Sequence, residues 1–531
     1  MIYVVGSGPA GVSVAISLLD QGLPVTMLDA GISLEPDRQE VVTRLSQTAV
    51  SAWNRSDVEL MKEGMAPSSS GVPLKHVYGS DFPYREADAF SPLKRTEVDS
   101  AISFGRGGFS NVWGSAVLPY RDHDLAAWPI KVRDLEEHYR AVLRFMPISS
   151  VHDDLTELFP LYTDSPQAVS ESRQAAALLA DLSHKRERLH EQGVTYGRSR
   201  VAIDPAPESD RSNCTYCAMC MYGCPHGLIY NSAGTLDTLT RNSNFSYVPG
   251  VVVERVEERG ADVHIHARDL ADRTAREFTA DRVYLACGPV STSRILMMSM
   301  NMYDTPVRLL DSQYFLMPLL RYGGVSDLAQ EPLHTLAQAF IEITDEAVSM
   351  QTVHLQIYTY NEMYDATFRS MLGKLSGLMK IPIAQVVSRM LIVQGFLHSD
   401  FSQGMDMVLS RSHGNDPGDL HMTAVAPNEP VATVLRRVTR KLSSNRDAMR
   451  AIPIRPMLKV AGAGRGFHSG GSFPMAAEGA SGLHSDVLGR PVGFSRVHAV
   501  DSTVFSSIPA TTITFTVMAN AHRIGSLYHA S

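Results

Sequence analysis

Cysteine is scarce in this 531-residue chain: there are five, and four of them, Cys214, Cys217, Cys220 and Cys224, fall within eleven residues. A disulfide framework spread along the chain is therefore excluded, and thiols clustered in this way favour a reducing compartment, so a cytoplasmic location is expected. No window approaches the roughly 20 apolar residues that a membrane span requires. A secretory leader is not expected either, because a glycine-rich turn follows Met1 within five residues. Dense basic runs are also missing; 48 basic residues against 56 acidic ones leave a formal net charge of −8, which makes nucleic acid an unexpected partner. There is no internal repeat and no low-complexity tract. What the chain does have is length and a hydrophobic content of 44%, enough for two or more cores.

The first thirty residues, IYVVGSGPAGVSVAISLLDQGLPVTMLDAG, read as strand, tight glycine turn, helix and second strand ending at Asp29. Gly6 permits the turn, Gly8 lets a pyrophosphate approach the backbone at the helix N-terminus, and Gly11 lets helix and strand pack closely. Asp29 stands at the distance from which an acid binds ribose hydroxyls. The pattern predicts dinucleotide binding without separating FAD from NAD.

The four clustered cysteines have the spacing C-x2-C-x2-C-x3-C, and Pro225 follows. This is the run found in bacterial ferredoxins, whose thiolates wrap an iron-sulfur cluster. Four thiolates permit 3Fe-4S or 4Fe-4S. Structural zinc and unligated packing thiols are the alternatives, zinc the weaker because it takes two separated pairs of ligands. Cys287, in the apolar run YLACG, reads as a small buried hydrophobe.

Three further stretches, together with the N-terminus, resemble the glucose-methanol-choline (GMC) oxidoreductases, FAD-dependent alcohol dehydrogenases and oxidases. They are GRGGFSNVWGSAVLPYRDHDLAAWPI at 105–130, FTADRVYLACGPVSTSRILMMS at 278–299, and GFHSGGSFPM at 466–475 with VHAVDSTVFSSIPATTITFTVMANAHRIG at 497–525. The resemblance implies FAD as cofactor. It places Gly107, Gly108, Ser110 and Asn111 against the isoalloxazine, Val252 and Gly288 among the nucleotide contacts, and Asp501 and Thr511 beside the flavin. It makes His468 the catalytic base. Most relatives have a second His or an Asn near the start of the last helix; Thr512 stands there, with Thr511 and Thr514 as neighbouring candidates, while Asn520 and His522 lie too far along. The cysteine segment, CMYGCPHGLIYNS, is similar to that of the catalytic subunits of bacterial sugar dehydrogenases.

The expected fold is α/β: a Rossmann-like FAD-binding domain of discontinuous segments (1–32, 95–130, 200–304 and 456–531, with the cysteines at 214–225) and an α+β substrate or cap domain on an antiparallel sheet (33–94, 131–199 and 305–455). FLMPLLRYGG, AQAFIEIT, VHLQIYTY and MLIVQGFLH are the candidate strands of that sheet. Residues 363–393, rich in Met and Leu, read as a helix pair, with an amphipathic lid or peripheral membrane face as the sharper alternative. The resemblance implies hydride transfer from an alcohol of a sugar or polyol-like substrate to flavin N5, with electrons leaving through the cluster to an external acceptor such as a cytochrome, quinone or electron-transfer protein. An oxygen-using oxidase with structural cysteines, a flavin and iron-sulfur reductase, and a non-enzymatic flavin redox partner or sensor are the other readings.

Overall fold

The computed structural model describes residues 1–64, 74–205, 213–362, 383–411 and 418–530. Its organising element is a parallel five-stranded sheet ordered β20-β9-β1-β2-β5, with β1 Ile2–Val5, β2 Val25–Leu28, β5 Phe245–Val248, β9 Arg282–Leu285 and β20 Val497–Ala499. The sheet thus joins the two ends of the chain and its middle. All four residues of β1 are buried, as the continuous apolar run IYVV requires of a strand covered on both faces. The helices Pro9–Leu19 and Thr514–Ser526 pack on each other over this sheet, and Gly525 permits the approach, since a Cβ there would stand 3.0 Å from Ser17 Cβ. A three-stranded antiparallel meander, β6 Val251–Arg259, β7 Asp262–Asp269 and β8 Ala275–Ala280, follows β5.

A seven-stranded antiparallel sheet forms the opposite wall. Its order is β17-β11-β14-β13-β12-β4, with β18 also paired to β11. The ranges are β4 Val194–Arg198, β11 Tyr314–Arg321, β12 Ala339–Ile343, β13 Val353–Tyr358, β14 Met390–Phe396, β17 Ala451–Pro453 and β18 Lys459–Val460. The four strands read from the sequence in this region are thus β11, β12, β13 and β14. In β13 the alternation V-H-L-Q-I-Y has a direct structural meaning. Val353, Leu355 and Ile357 enter a core with Leu178, Val434, Val438 and Leu442, and His354, Gln356 and Tyr358 face the other way.

The last sheet, β19-β10-β15-β16-β3, was not foreseen as a unit. It combines β3 Leu93–Thr96, β10 Pro306–Asp311, β15 Gly404–Leu409, β16 Leu420–Val425 and β19 Ser469–Gly470. It draws strands from both of the segment sets that the sequence separates into two domains. The Met- and Leu-rich stretch lies outside the described residues at 363–382; its end forms the short helix Ile383–Val387 before β14. Among the described residues no helix is long and apolar enough to cross a membrane.

Gly11 is the tightest glycine of the nucleotide-type turn: a Cβ there would meet the Gly6 carbonyl oxygen at 1.9 Å. Because that neighbour is backbone, Gly11→Ala is expected to destabilise the fold by about 1–3 kcal/mol, the usual cost of overpacking. Denaturant unfolding measures this, and an unchanged midpoint would contradict the packing described.

Candidate active site

One cavity of about 440 Å³ runs from the N-terminal turn to the antiparallel sheet. Its nucleotide-like end is built by the first strand, turn and helix. The helix Pro9–Leu19 begins at Gly8 with no side-chain cap, and a Cβ on Gly8 would meet no atom of the chain within 4 Å. Uncapped amides beside open space suit a phosphate group. Asp29 is buried at the end of β2 and accepts hydrogen bonds from Ser7 Oγ (2.5 Å) and Tyr247 Oη (3.0 Å). Burial pushes its carboxyl up to about 6, against the lowering effect of Ser7 and Tyr247. A carboxylate placed there can accept from ribose hydroxyls. On the chemistry they present, these residues fit the pyrophosphate and ribose of a dinucleotide such as FAD.

The loop after Gly105 closes one side. Gly108, Phe109, Ser110, Val112 and Trp113 line the cavity. Gly107 and Asn111 do not; they hold the loop from behind. Gly107 adopts φ +86°, its amide donates to Ser7 Oγ at 2.9 Å, and a Cβ would stand 2.7 Å from Asn231 Oδ1. Asn111 donates from Nδ2 to the carbonyls of Arg106 (3.0 Å) and Gly108 (2.6 Å). Of the other expected cofactor contacts, Gly6, Gly8, Asp29, Val252, Gly288 and Asp501 line the cavity, whereas Gly11 and Thr511 do not. Gly11 is occupied in helix-to-turn packing, and the Thr511 side chain is directed into the protein interior, fully buried, with no hydrogen-bond partner for Oγ1. Asp501 accepts from Thr292 Oγ1 (2.6 Å) and Thr503 N (2.9 Å); burial raises its carboxyl pKa.

His468 stands at the far end, on the same cavity as Thr512. Its ring stacks on Phe396 of β14, with centroids 4.9 Å apart and planes at 21°. Its Nδ1 is buried without a partner. Burial first, and the nearby His354 second, bring its pKa down to about 4, so the imidazole is neutral at physiological pH and able to take a proton. The loop carrying it is clamped by Asp311, whose carboxylate accepts from Gly464 N and Ser469 Oγ, both at 2.8 Å, while Ser312 N donates to the His468 carbonyl at 2.9 Å. Thr512 Oγ1 accepts a hydrogen bond from Leu118 N at 2.9 Å, which leaves its hydroxyl proton available to an oxygen in the cavity. Thr514 also lines the wall, whereas Asn520 and His522 do not; His522 Nδ1 instead faces His138 Nδ1 at 2.9 Å.

The cysteine segment lies just outside the cavity. Cys214, Cys220 and Cys224 pack with Val201, Ile203 and Leu228, and Cys217 packs in a separate group with Met219 and Tyr222. Thr335 N donates to Cys220 Sγ at 3.5 Å. Burial pushes the Cys214 thiol up to about 11 and the Cys220 thiol to about 12, with smaller upward contributions from the neighbouring cysteines. Among the described residues no group of three or more His, Cys, Asp or Glu is arranged to hold a metal ion. The structure therefore lends no support to the expected four-thiol ligand set, although Cys214, Cys217 and Cys220 each lie near enough to Cys224 to feel its charge. Met221, between them, does reach the cavity wall.

No family model matches the chain. Its sequence is 23% identical to a 6'''-hydroxyparomomycin C oxidase of Streptomyces lividus over 317 residues, 57% of this chain and 50% of that protein, so the match spans half the relative's length. The structure is similar to that of a pyridoxine 4-oxidase from Mesorbium loti, with a TM-score of 0.59 and 13% identity, covering 100% of this chain and 99% of that one. The chain has the GMC oxidoreductase fold. Within that fold several wall residues carry no sequence signal: Lys75, Gln356, Tyr358 and Gln394 line the cavity but belong to none of the recognisable motifs. Alternation along VHLQIYTY was the one clue available, since it separates Gln356 and Tyr358 from the core face. Ser7, the small residue between two glycines, also lines the cavity without a signal of its own.

Replacing Ser7 with Ala strands the Gly107 amide and takes one of two donors from an Asp29 oxygen that Tyr247 still serves. A loss of about 1–3 kcal/mol is expected, the usual cost of stranding buried polar groups. Denaturant unfolding would read it, and a change below about 0.5 kcal/mol would show that the contact carries little of the architecture.

Proposed function

We propose that the protein is an FAD-dependent oxidoreductase that oxidises an alcohol, CH–OH, to the carbonyl, with His468 as the base. The observation that carries this reading is a neutral, buried histidine on the wall of the same cavity as the Gly8 turn and Asp29. FAD, when bound, supplies the acceptor for the hydride. Gly6, Gly8, Asp29, Val252, Gly288 and Asp501 would hold it, with Gly107 and Asn111 fixing the loop that covers it. The chain's own part of the chemistry is then proton handling and positioning. His468 takes the hydroxyl proton, its loop held by Asp311; Thr512 donates to the same oxygen; and Phe396 fixes the plane of the imidazole.

The two proteins it resembles are both oxidases by name, and we take oxygen as the favoured final acceptor, reduced to peroxide. A substrate of sugar or polyol type suits a roof of Gln356, Tyr358 and Gln394, which both donate and accept hydrogen bonds. A second reading, a dehydrogenase passing electrons through a 3Fe-4S or 4Fe-4S cluster to a cytochrome, quinone or protein acceptor, is favoured by one observation, the ferredoxin spacing of Cys214, Cys217, Cys220 and Cys224. Anaerobic purification followed by iron analysis and electron paramagnetic resonance separates the two. Absence of iron together with peroxide formed in step with alcohol consumed supports the oxidase. A signal as isolated that vanishes on reduction identifies 3Fe-4S and one that appears on reduction identifies 4Fe-4S; either replaces oxygen by an external acceptor.

His468→Ala should retain bound flavin and lose at least 100-fold in the rate of flavin reduction by alcohol, the lower range for removal of a general base. Reduction at the wild-type rate would remove His468 from the mechanism. The pH dependence has a definite sign. His468 must be unprotonated to act, and its pKa is lowered to about 4, so the reduction rate should be level near neutrality and fall as the pH drops through about 4. Stopped-flow measurement with brief acid jumps checks this.

A further inference from the structure

The charged residues on the cavity wall are unevenly distributed. The acids are Asp29, Glu254 and Asp501, and each is engaged: Asp29 with Ser7 and Tyr247, Glu254 with Arg268 at 2.9 Å, and Asp501 with Thr292 and Thr503. The cations are Lys75, Arg294 and Arg465. Arg294 spends its guanidinium on the carbonyls of Pro92 and Gly418, and Arg465 lies over the Phe467 ring at 5.7 Å. Lys75 differs. Its ammonium donates once, to the Trp113 carbonyl at 2.9 Å, and among the described residues it has no carboxylate partner. An ammonium has three donors, so two remain for whatever fills the cavity. Enclosing an unpaired charge is costly unless a partner arrives.

The surroundings of Lys75 define the direction in which such a partner lies. Tyr84 Oη donates to the Lys75 carbonyl at 3.0 Å and holds its backbone. Next to Trp113, a Cβ on Gly114 would stand 3.3 Å from Tyr358 Oη. Tyr358 donates to Gln356 Oε1 at 3.1 Å, Gln356 pairs in register with Gln394, and His354 with Phe396, the ring stacked on His468. A strip of polar roof thus leads from Lys75 to His468 along β13 from residue 358 to 354, which is about 13 Å of strand at about 3.3 Å per residue. Gln356 is fixed within that strip. Glu342 and His354, both fully buried, lie 2.6 Å apart, and His354 Nε2 faces Gln356 Nε2 at 3.1 Å. A His354 that donates from Nδ1 to the carboxylate accepts at Nε2, so one amide hydrogen of Gln356 is committed to it and the other is left for the cavity.

We propose that Lys75 anchors a subsite for an anionic group, a carboxylate or phosphate, and that the alcohol oxidised at His468 carries that group at its other end. The inference rests on the alcohol-oxidising reading for what happens at His468, but the subsite stands on the unpaired ammonium and the wall around it. Charge and geometry agree here: each acid on the cavity wall is already engaged by a neighbour, while the Lys75 ammonium keeps donors to spare. An amine-bearing substrate would meet Lys75 and Arg465 unfavourably.

The test separates binding from turnover. Calorimetric titration of the purified flavoprotein with benzoate and with inorganic phosphate distinguishes the two anion types. At least one should bind, at least tenfold more weakly to Lys75→Met and within a few-fold of wild type to Lys75→Arg. The arginine variant keeps the charge, which separates loss of the subsite from general damage to the fold. Equal binding by wild type and Lys75→Met, or no binding of either anion, overturns the proposal. The second arm compares flavin reduction by 4-(hydroxymethyl)benzoate with its methyl ester, and by glucose 6-phosphate with glucose. The anionic member of at least one pair should show kcat/KM at least tenfold higher in wild type, with the preference lost in Lys75→Met. Preference for the neutral members overturns the substrate assignment. Lys75-dependent anion binding with no reduction by any alcohol supports the subsite and rejects the alcohol-oxidising reading instead.

Discussion

The hydrogen bond from Ser7 to the buried carboxylate of Asp29 is the joint on which the cavity depends. Ser7 sits in the turn after β1, and its Oγ both donates to Asp29 and accepts from the Gly107 amide. Its carbonyl accepts from Ser232 Oγ, which also reaches the Gly107 carbonyl at 2.9 Å. Ser110 Oγ joins the same group at 3.0 Å from Ser232 Oγ. Residues near 7, 29, 107 and 232 are thereby locked together by small polar side chains that satisfy one another. Remove that lock and the loop bearing Gly108 and Ser110 has no fixed distance from the uncapped helix at Gly8. The parallel sheet supplies the platform, but it is this node that turns a platform into a site.

The opposite wall is built on a different principle. β13 lies inside the protein with both faces covered, yet only one face is apolar. The other carries His354, Gln356 and Tyr358, with Glu342 of β12 beside His354 in register and both fully buried. Burying such a pair is expensive and gives little net stability, so its consequence lies in orientation and field. The proximity of His354 contributes to the low pKa of His468, after burial itself. Both effects keep the imidazole neutral and available. The clamp by Asp311 then fixes where that imidazole can go.

What was legible in the sequence follows from how local each signal is. The N-terminal turn, the final helix and the four strands β11 to β14 depend on periodicity and glycine placement within short windows, and they stand where the sequence puts them. His468 was found because its surroundings, GFHSGG, form a recognisable string. Lys75 and Gln394 gave no such signal, since they matter only because Lys75 meets Trp113 and Gln394 pairs with Gln356, residues remote in sequence. Gly107, Asn111 and Thr511 were read as cavity residues but stand behind the wall, because a motif marks the residues a loop needs without telling which of them face inward. The cysteine run shows the same limit more sharply. Its spacing is that of a cluster-binding segment, and its thiols also pack on Val201, Leu228, Met219 and Tyr222, because spacing permits convergence of sulfurs without enforcing it and leaves both readings to the iron analysis. The fourth sheet has no local signal, since β3 and β19 are short strands whose partners lie more than 150 residues away.

The most direct test of this account is the cofactor stoichiometry of the purified protein, read from the visible absorption spectrum and from the flavin released on denaturation and identified chromatographically. The account predicts one FAD per chain, bound without covalent attachment and retained or regained when free FAD is supplied. A protein that binds no FAD under those conditions, or that selects NAD in its place, would contradict it.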